Sequence, residues 1–192
     1  MTKREEILQE TYLLFAEYGY RISLSQVTSK LGLKKQSIYN YFDSKNDLIS
    51  EMLEVRIKSY YDGLMNTIYI NKDNTPEERI NELLKFSMDY FSDPTRARTL
   101  RWITLSNVHD GLDAIRKLVN HYESLFLSQL DAIIQEGMDM GQIEAKNVEE
   151  VRTLYVVMLK GSIDCVNLFG LKEQDDALVS LLIEKFWAAI NA

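Results

Sequence analysis

Cysteine, proline, glycine and histidine are all scarce in this chain of 192 residues. Its single cysteine, Cys165, cannot form an internal disulfide, which favours a reducing compartment and predicts a cytoplasmic protein. Two prolines and eight glycines are few for a turn-rich β protein, so they favour helices. Two histidines are too few for the metal-dependent phosphohydrolase site that the pair His109-Asp110 would suggest.

Motifs for enzymatic chemistry are lacking as well. The sequence contains no glycine-rich phosphate loop, no Cys-x-x-Cys pair and no His-Glu-x-x-His zinc motif. Cys165 has no candidate base near it in sequence, and we expect it to pack as a small apolar residue. The chain is therefore expected not to be an enzyme and to need neither a metal nor a cofactor.

Long apolar stretches are absent too. No run of eighteen apolar residues occurs, so we expect no membrane span, and no signal-peptide core follows the charged residues 3–6. Hydrophobic residues still make up 46% of the chain and charged residues 27%, which is enough apolar material for a real core. We expect a folded protein without a membrane partner.

The negative charge is unevenly distributed along the chain. The net charge is −7, which by itself would argue against a nucleic-acid partner. Residues 1–48 hold seven Lys/Arg against six Asp/Glu, whereas residues 49–192 hold fifteen against twenty-three. A weakly basic N-terminal segment thus precedes an acidic body, and the overall acidity does not exclude contact with DNA.

The first seventy residues have the periodicity and caps of four helices. Apolar residues at helical spacing predict a helix over 3–18, which Gly19 ends. Ser23 and Gln26 fit a capping box that starts a second helix, ending at Gly32. A short helix over about 35–41 and a long helix over about 45–70 follow. Two short helices joined by a tight glycine turn predict a helix-turn-helix.

This N-terminal segment resembles the TetR family of bacterial regulators. Residues 32–45, Gly-Leu-Lys-Lys-Gln-Ser-Ile-Tyr-Asn-Tyr-Phe-Asp-Ser-Lys, are similar to the family signature Gly-Val-Ser-x-x-Thr-Leu-Tyr-x-Tyr-Phe-x-x-Lys. Lys34 departs from the signature, since it stands where the family carries Ser or Thr. The matching residues are Phe15, Gly19, Val27, Gly32, Leu33, Ser37, Ile38, Tyr39, Tyr41, Phe42, Lys45 and Leu48. The resemblance covers about residues 5–50 and implies an all-α fold: a three-helix head and a larger helical body, about nine helices in all.

The resemblance also implies which residues contact DNA. The recognition helix (35–41) would enter the major groove of double-stranded DNA, with Gln36 reading adenine and Lys35 reading guanine or holding a phosphate. Tyr39 and Tyr41 would bind phosphates, and Lys45 would add its charge at the start of the long helix. Ile38 would face inward. The full expected set is Ser23, Ser25, Lys34, Lys35, Gln36, Ser37, Tyr39, Asn40, Tyr41 and Lys45.

The remaining chain reads as helices, and the last of them predicts a homodimer. The segment 175–189 is apolar on nearly every side, so both of its faces need cover. One protomer can cover only one face, which favours a four-helix bundle formed with a second copy. The alternative is burial of this helix within its own domain. The expected interface residues are Tyr155, Gly161, Ser162, Leu178, Leu182, Phe186 and Trp187.

The family resemblance implies a division at residue 48: a DNA-binding domain over 1–48 and an effector-binding and dimerisation domain over 49–192. A small-molecule effector, moderately apolar, would bind in the second domain and release a repressor from a palindromic operator. The expected pocket residues are Tyr90, Trp102, His109, His121, Tyr122, Phe126 and Met158. The rival interpretation is a helical ligand-binding or adaptor protein without sequence-specific DNA binding.

Overall fold

The computed structural model describes residues 1–105, 113–169 and 176–191, and in these ranges the chain is all-helical with no strand. The all-α prediction is confirmed. Two short 3-10 helices, Gly19–Arg21 and Lys35–Asn40, interrupt the α-helices of the N-terminal segment. The α-helices are α1 (Lys3–Tyr18), α2 (Leu24–Leu31), α3 (Lys45–Ile70), α4 (Pro76–Ser92), α5 (Pro94–Leu105), α6 (Asp113–Asp139), α7 (Val148–Phe169) and α8 (Asp176–Ile190).

Side-chain caps define where several helices begin. The predicted capping box before α2 is confirmed: the Gln26 amide donates to the Ser23 hydroxyl at 3.2 Å, and the Ser23 amide donates to the Gln26 side chain at 2.7 Å. Thr75 and Glu78 form the same reciprocal pair before α4, at 3.3 and 2.9 Å. Each box satisfies two amides that the first helical turn leaves without a partner.

The chain forms two compact units. Unit 1 comprises residues 1–59 and 94–120, and unit 2 comprises residues 60–93 and 121–192. In unit 1, α1 packs against α2 and α5; in unit 2, α4, α7 and α8 pack against one another. The division expected at residues 48/49 remains a prediction about function, because these units are defined by packing.

Each unit buries its own apolar core. Ile7, Phe15, Ile38 and Leu48 are fully buried in unit 1. Ile80, Leu130, Tyr155 and Phe186 play the same part in unit 2. Within the described ranges, no helix combines the length and hydrophobicity that a membrane crossing requires.

Candidate functional site

A tight turn joins α2 to the recognition helix. Gly32 ends α2 in the left-handed conformation, with φ 63° and ψ 28°, which glycine adopts without steric cost. The next amide, that of Leu33, donates to the Thr28 carbonyl at 2.9 Å and closes the turn. The recognition helix then starts at Lys35, after Lys34 in extended backbone. This geometry is the helix-turn-helix that the sequence predicts.

The recognition helix is a 3-10 helix, not an α-helix. The Ser37 amide donates to the Lys34 carbonyl and the Tyr41 amide to the Ile38 carbonyl, both at 2.9 Å and both three residues apart. Such short connecting segments commonly adopt this tighter winding. Ile38 is fully buried and Phe42 is 2% exposed, so these two side chains fix the segment to the core of unit 1.

In this 3-10 helix the predicted contact residues are aligned in rows. Side chains three residues apart align along a 3-10 helix, so Gln36 lies in a row with Tyr39, and Ser37 with Asn40. Gln36, Tyr39 and Asn40 are exposed and Ser37 is half-buried. Lys35, in the row of buried Ile38, is still exposed at the start of the helix. The recognition helix therefore presents two polar rows of two side chains each.

The other predicted contact residues flank these rows. Ser25 and Lys34 are exposed and Tyr41 is half-buried. The Ser23 hydroxyl is engaged in the cap of α2, so its position is explained by helix stability, and Ser25 is the better candidate for a phosphate contact.

Lys45 occupies the first position of the 26-residue helix α3. Its ammonium donates to the Tyr20 carbonyl at 2.7 Å and so ties α3 to the turn after α1. An ammonium has three donors, and this bond uses one of them. Lys45 can therefore hold the turn and bind a phosphate at the same time.

Arg4 is a residue of this site that sequence reasoning missed. Its guanidinium donates to the Tyr41 carbonyl at 2.5 Å, forms a two-point ion pair with Glu51 (Nε to Oε1 2.8 Å), and lies 4.4 Å from the centre of the Phe42 ring. The hydrogen bond to Glu51 is the main cause that raises the Arg4 pKa. These partners are 37 and 47 residues away along the chain, so no local pattern reveals them.

The residues expected to line an effector pocket are divided between the two units. Trp102 lies in unit 1, where its indole N–H donates to the Ala16 carbonyl at 3.3 Å. Trp102 therefore packs α5 against α1, and its assignment to the pocket stays a prediction. His109 lies outside the described residues. His121 is exposed and its ring is 5.6 Å from that of Tyr122.

The other expected pocket residues, Tyr90, Tyr122, Phe126 and Met158, all belong to unit 2. Tyr90 and Tyr122 stand beside aromatic residues that were not anticipated. Tyr90 is 5.0 Å from Tyr60, and Tyr122 stacks on Tyr61 at 5.4 Å. Helical periodicity could not separate these rings from ordinary core residues, because both recur at the same spacing.

Two of the expected dimer residues are core residues of their own unit. Tyr155 is fully buried and Phe186 is 1% exposed within the single chain, so neither offers surface to a second copy. Their assignment to the interface is corrected, because the packing of α4, α7 and α8 against one another buries both side chains.

The remaining expected interface residues differ in their surroundings. The Trp187 indole donates to the Asn81 side chain at 2.7 Å, and the buried Ser162 hydroxyl donates to the Met158 carbonyl at 2.6 Å. Leu182 is half-buried, and the side chain of Leu178 lies outside the described residues. Gly161 is exposed, and a Cβ atom there would meet no described atom.

The fold and the rows of the recognition helix define a helix-turn-helix protein. Residues 7–52 match the family model of the bacterial regulatory proteins of the tetR family. The helix-turn-helix segment of the chain therefore belongs to the TetR family.

Known proteins extend this similarity. The chain is 29% identical over 105 residues to the negative transcriptional regulator IcaR of the biofilm operon icaADBC in Staphylococcus aureus, and the match spans 54% of each protein. It thus spans about half the length of that relative. A TetR transcription regulator from Haloarcula marismortui has the same fold, with TM-score 0.77, 19% identity and 98% of both chains covered. FadR from Bacillus subtilis in complex with stearoyl-CoA also matches, with TM-score 0.72 and 20% identity over 99% of this chain and 98% of that one.

Proposed function

We propose that this chain is a dimeric transcriptional repressor that binds a palindromic operator and releases it when a small apolar effector binds. The observation that carries the proposal is the recognition helix: buried Ile38 and Phe42 fix it from within while Gln36, Tyr39 and Asn40 are exposed. A rigid support with free polar side chains is what reading of base edges needs.

The distribution of charge supports DNA as the partner of unit 1. By residue count, unit 1 holds fourteen Lys/Arg against ten Asp/Glu, and unit 2 holds eight against nineteen. The net charges are therefore +4 and −11. A positive unit attracts the phosphate backbone, whereas a strongly negative one is repelled by it.

The contacts divide into two kinds. Gln36 reads a base edge in the major groove, with Lys35 beside it reading guanine or holding a phosphate. Ser25, Lys34, Lys45 and the tyrosine hydroxyls bind the backbone and set the register. The other proposed DNA contacts are those expected from the sequence, namely Ser23, Ser37, Tyr39, Asn40 and Tyr41.

Exposed apolar and small residues on α7 and α8, which we call the strip, support the dimer. Val157 is 63% exposed and Leu181 is 47% exposed, and Gly161 lies one turn after Val157. Small and apolar side chains on an exposed helix face allow close approach of a second helix. In a dimer with twofold symmetry, the strip of one protomer packs against the same strip of the second copy. Two recognition helices about 34–36 Å apart then meet successive major grooves.

The effector is proposed to bind among the aromatic residues of unit 2. The structural neighbour FadR is described in complex with stearoyl-CoA, whose stearoyl chain is apolar, and this supports an effector with an apolar part for this chain as well. The dimer is proposed to have one shape in which its recognition helices match the operator and one in which they do not. An effector that binds the second shape more tightly favours it, and lowers the affinity for the operator by no more than its own preference between the two shapes.

Fluorescence anisotropy tests the proposal. Labelled DNA flanking the gene of this protein and DNA fragments selected from a random pool are titrated with the chain, alongside scrambled DNA and at rising salt. We expect selective binding that weakens steeply with salt, because phosphate contacts release counterions. The variant with Lys35, Gln36 and Tyr41 all replaced by alanine should fold and lose this binding. Equal affinity for selected and scrambled DNA would favour the adaptor interpretation.

A further inference from the structure

Most of the positive charge of unit 1 lies outside the helix-turn-helix. Of the two segments that form this unit, residues 1–59 hold nine Lys/Arg against eight Asp/Glu, and residues 94–120 hold five against two. Their net charges are therefore +1 and +3. Three of the five cations in the second segment are arginines of α5, and the sequence of that helix contains no acidic residue. The surplus that attracts DNA to unit 1 thus comes mainly from the segment that contains α5.

Two arginines of α5 carry this charge at the surface. Arg98 and Arg101 are both exposed, and we call them the α5 arginine pair. Because they are three residues apart, they are neighbours on one side of the helix. The Arg98 Nε donates to the Pro94 carbonyl of the same helix at 3.1 Å, which leaves the two terminal amino groups for another acceptor. The Arg101 side chain forms neither a hydrogen bond nor an ion pair with any described residue.

Other cations of unit 1 have acidic partners. Arg4 pairs with Glu51, and Arg116 pairs with Asp113 at 3.2 Å. A cation that already pairs with a carboxylate gains less from a phosphate than one that does not, since the first pair must be given up or shared. Among the described residues, no carboxylate competes in this way for the α5 arginine pair.

The turn after α1 joins α5 to the helix-turn-helix. α5 packs against α1 and against the 3-10 turn Gly19–Arg21. The indole N–H of Trp102, one helical turn after Arg98, donates to a carbonyl in the last turn of α1 at 3.3 Å. On the other side, the Tyr20 carbonyl in this 3-10 turn accepts the Lys45 ammonium at 2.7 Å. The α5 arginine pair and the proposed phosphate ligand Lys45 are therefore held by the same turn.

We propose that Arg98 and Arg101 bind phosphates of the same DNA that the recognition helix reads, so that α5 is a second DNA-contacting element beside the helix-turn-helix. A guanidinium matches the geometry of a phosphate with two parallel N–H donors. The inference rests on the proposed function, because it extends the DNA contacts of unit 1. It adds residues far from the others in sequence, since the contacts expected from the sequence end at Lys45.

The double variant Arg98→Gln, Arg101→Gln tests the pair in the full chain. Glutamine has nearly the helix propensity of arginine, so circular dichroism should be unchanged. Anisotropy is measured on a selected operator and on scrambled DNA at several salt concentrations. Each lost phosphate contact lowers the slope of log affinity against log salt by about 0.9, so we expect a decrease of about 2 for each bound protomer. The ratio of affinities for operator and scrambled DNA should stay the same, because phosphate contacts carry no sequence information.

The double variant Lys85→Gln, Lys146→Gln is the matched control. Both lysines are exposed in unit 2, so this variant removes the same number of charges away from the proposed surface. We expect its salt slope to equal that of the native chain. Equal decreases in the two double variants would show an effect of overall charge alone and would overturn the proposal. An unchanged slope in the α5 variant would overturn it as well.

Ethylation of single phosphates on the operator locates the contacts. Some phosphates should weaken binding of the native chain when ethylated but have no effect on the α5 variant, because their ligands are already lost. Such phosphates should differ from those that lose their effect in Lys34→Ala. If every phosphate has the same effect on the native chain and on the α5 variant, the arginine pair does not bind the backbone.

The two kinds of DNA separate this inference from the proposed function. Selective operator binding with an unchanged salt slope in the α5 variant would reject the second contact surface and leave the regulator intact. A lower slope on scrambled DNA, in a chain that does not prefer any selected operator, would support the α5 contacts and reject the repressor.

Discussion

A Cβ atom at Gly19 would lie 2.5 Å from the indole ring of Trp102, closer than any side chain tolerates. Gly19 ends α1 with φ 59° and ψ −142°, close to a region of backbone conformation that is almost exclusive to glycine. The indole N–H also donates to the Ala16 carbonyl, one turn earlier. The end of α1 therefore fits α5 only because residue 19 has no side chain.

Gly19→Ala should lower the free energy of unfolding by about 3 kcal/mol, since backbone strain and displacement of the indole add. Gly32→Ala is the matched control: Gly32 has φ 63°, but no described atom lies within 4 Å of its added Cβ. We expect about 1 kcal/mol there, from the backbone alone. Urea unfolding followed by circular dichroism measures both. Equal losses would mean that Trp102 moves aside without cost.

Arg4→Ala should weaken operator binding by roughly three- to tenfold, the range covered by the net contribution of one hydrogen bond. The substitution removes the bond to the Tyr41 carbonyl and the ion pair to Glu51, so the end of the recognition helix is less firmly held. Lys3→Ala is the control, because it removes a cation from the same helical turn and breaks only the local pair with Glu6.

Anisotropy at several salt concentrations distinguishes positioning by Arg4 from a simple loss of charge. A lost phosphate contact would reduce the slope of log affinity against log salt by about 1. Loss of positioning should leave this slope unchanged. If Lys3→Ala and Arg4→Ala weaken binding equally, Arg4 has no positioning role.

Gln36→Ala and Lys34→Ala should affect binding in different ways. Loss of the Gln36 amide should cost about 1–3 kcal/mol on the preferred operator and relax the choice at one base pair in each half-site. Loss of Lys34 should weaken binding to all sequences alike and reduce the salt slope by about 1. Binding to a panel of operators with single substitutions provides the measurement. Relaxed specificity in Lys34→Ala instead would reverse the two roles.

Leu181→Glu should weaken the dimer at least about tenfold, because it places a charge at the centre of the proposed interface. Sedimentation velocity over a range of concentrations measures the shift. Met140→Glu introduces the same charge at another exposed apolar residue of unit 2, 58% exposed, and should leave the dimer intact. If both variants dimerise like the native chain, the strip on α7 and α8 is not the interface.

The parts of the fold that sequence predicts are those determined within a few residues. The Ser23–Gln26 capping box, the glycine ends of α1 and α2 and the buried Ile38 follow from local spacing, and all of them are confirmed. Local spacing gave the position of the recognition helix but not its 3-10 winding. That winding is defined by backbone hydrogen bonds between residues three apart, which the spacing of apolar residues in so short a segment does not distinguish from those of an α-helix.

The assignments that the sequence leaves open depend on contacts between distant residues. The bond between Trp102 and the Ala16 carbonyl joins positions 86 residues apart, and periodicity shows only that Trp102 faces some partner. The same limit applies to Tyr155 and Phe186, which their own unit buries. An apolar helix face predicts that this face is buried, but only the folded structure shows which element covers it.

The two tryptophans of the chain are divided between its compact units. Trp102 belongs to unit 1 and Trp187 to unit 2, and each indole N–H donates a hydrogen bond within its own unit. Replacing either tryptophan with phenylalanine therefore leaves one indole, whose emission under selective excitation reports on a single unit. Emission from such variants during denaturant titration would reveal whether the units unfold together or in sequence, without any attached dye.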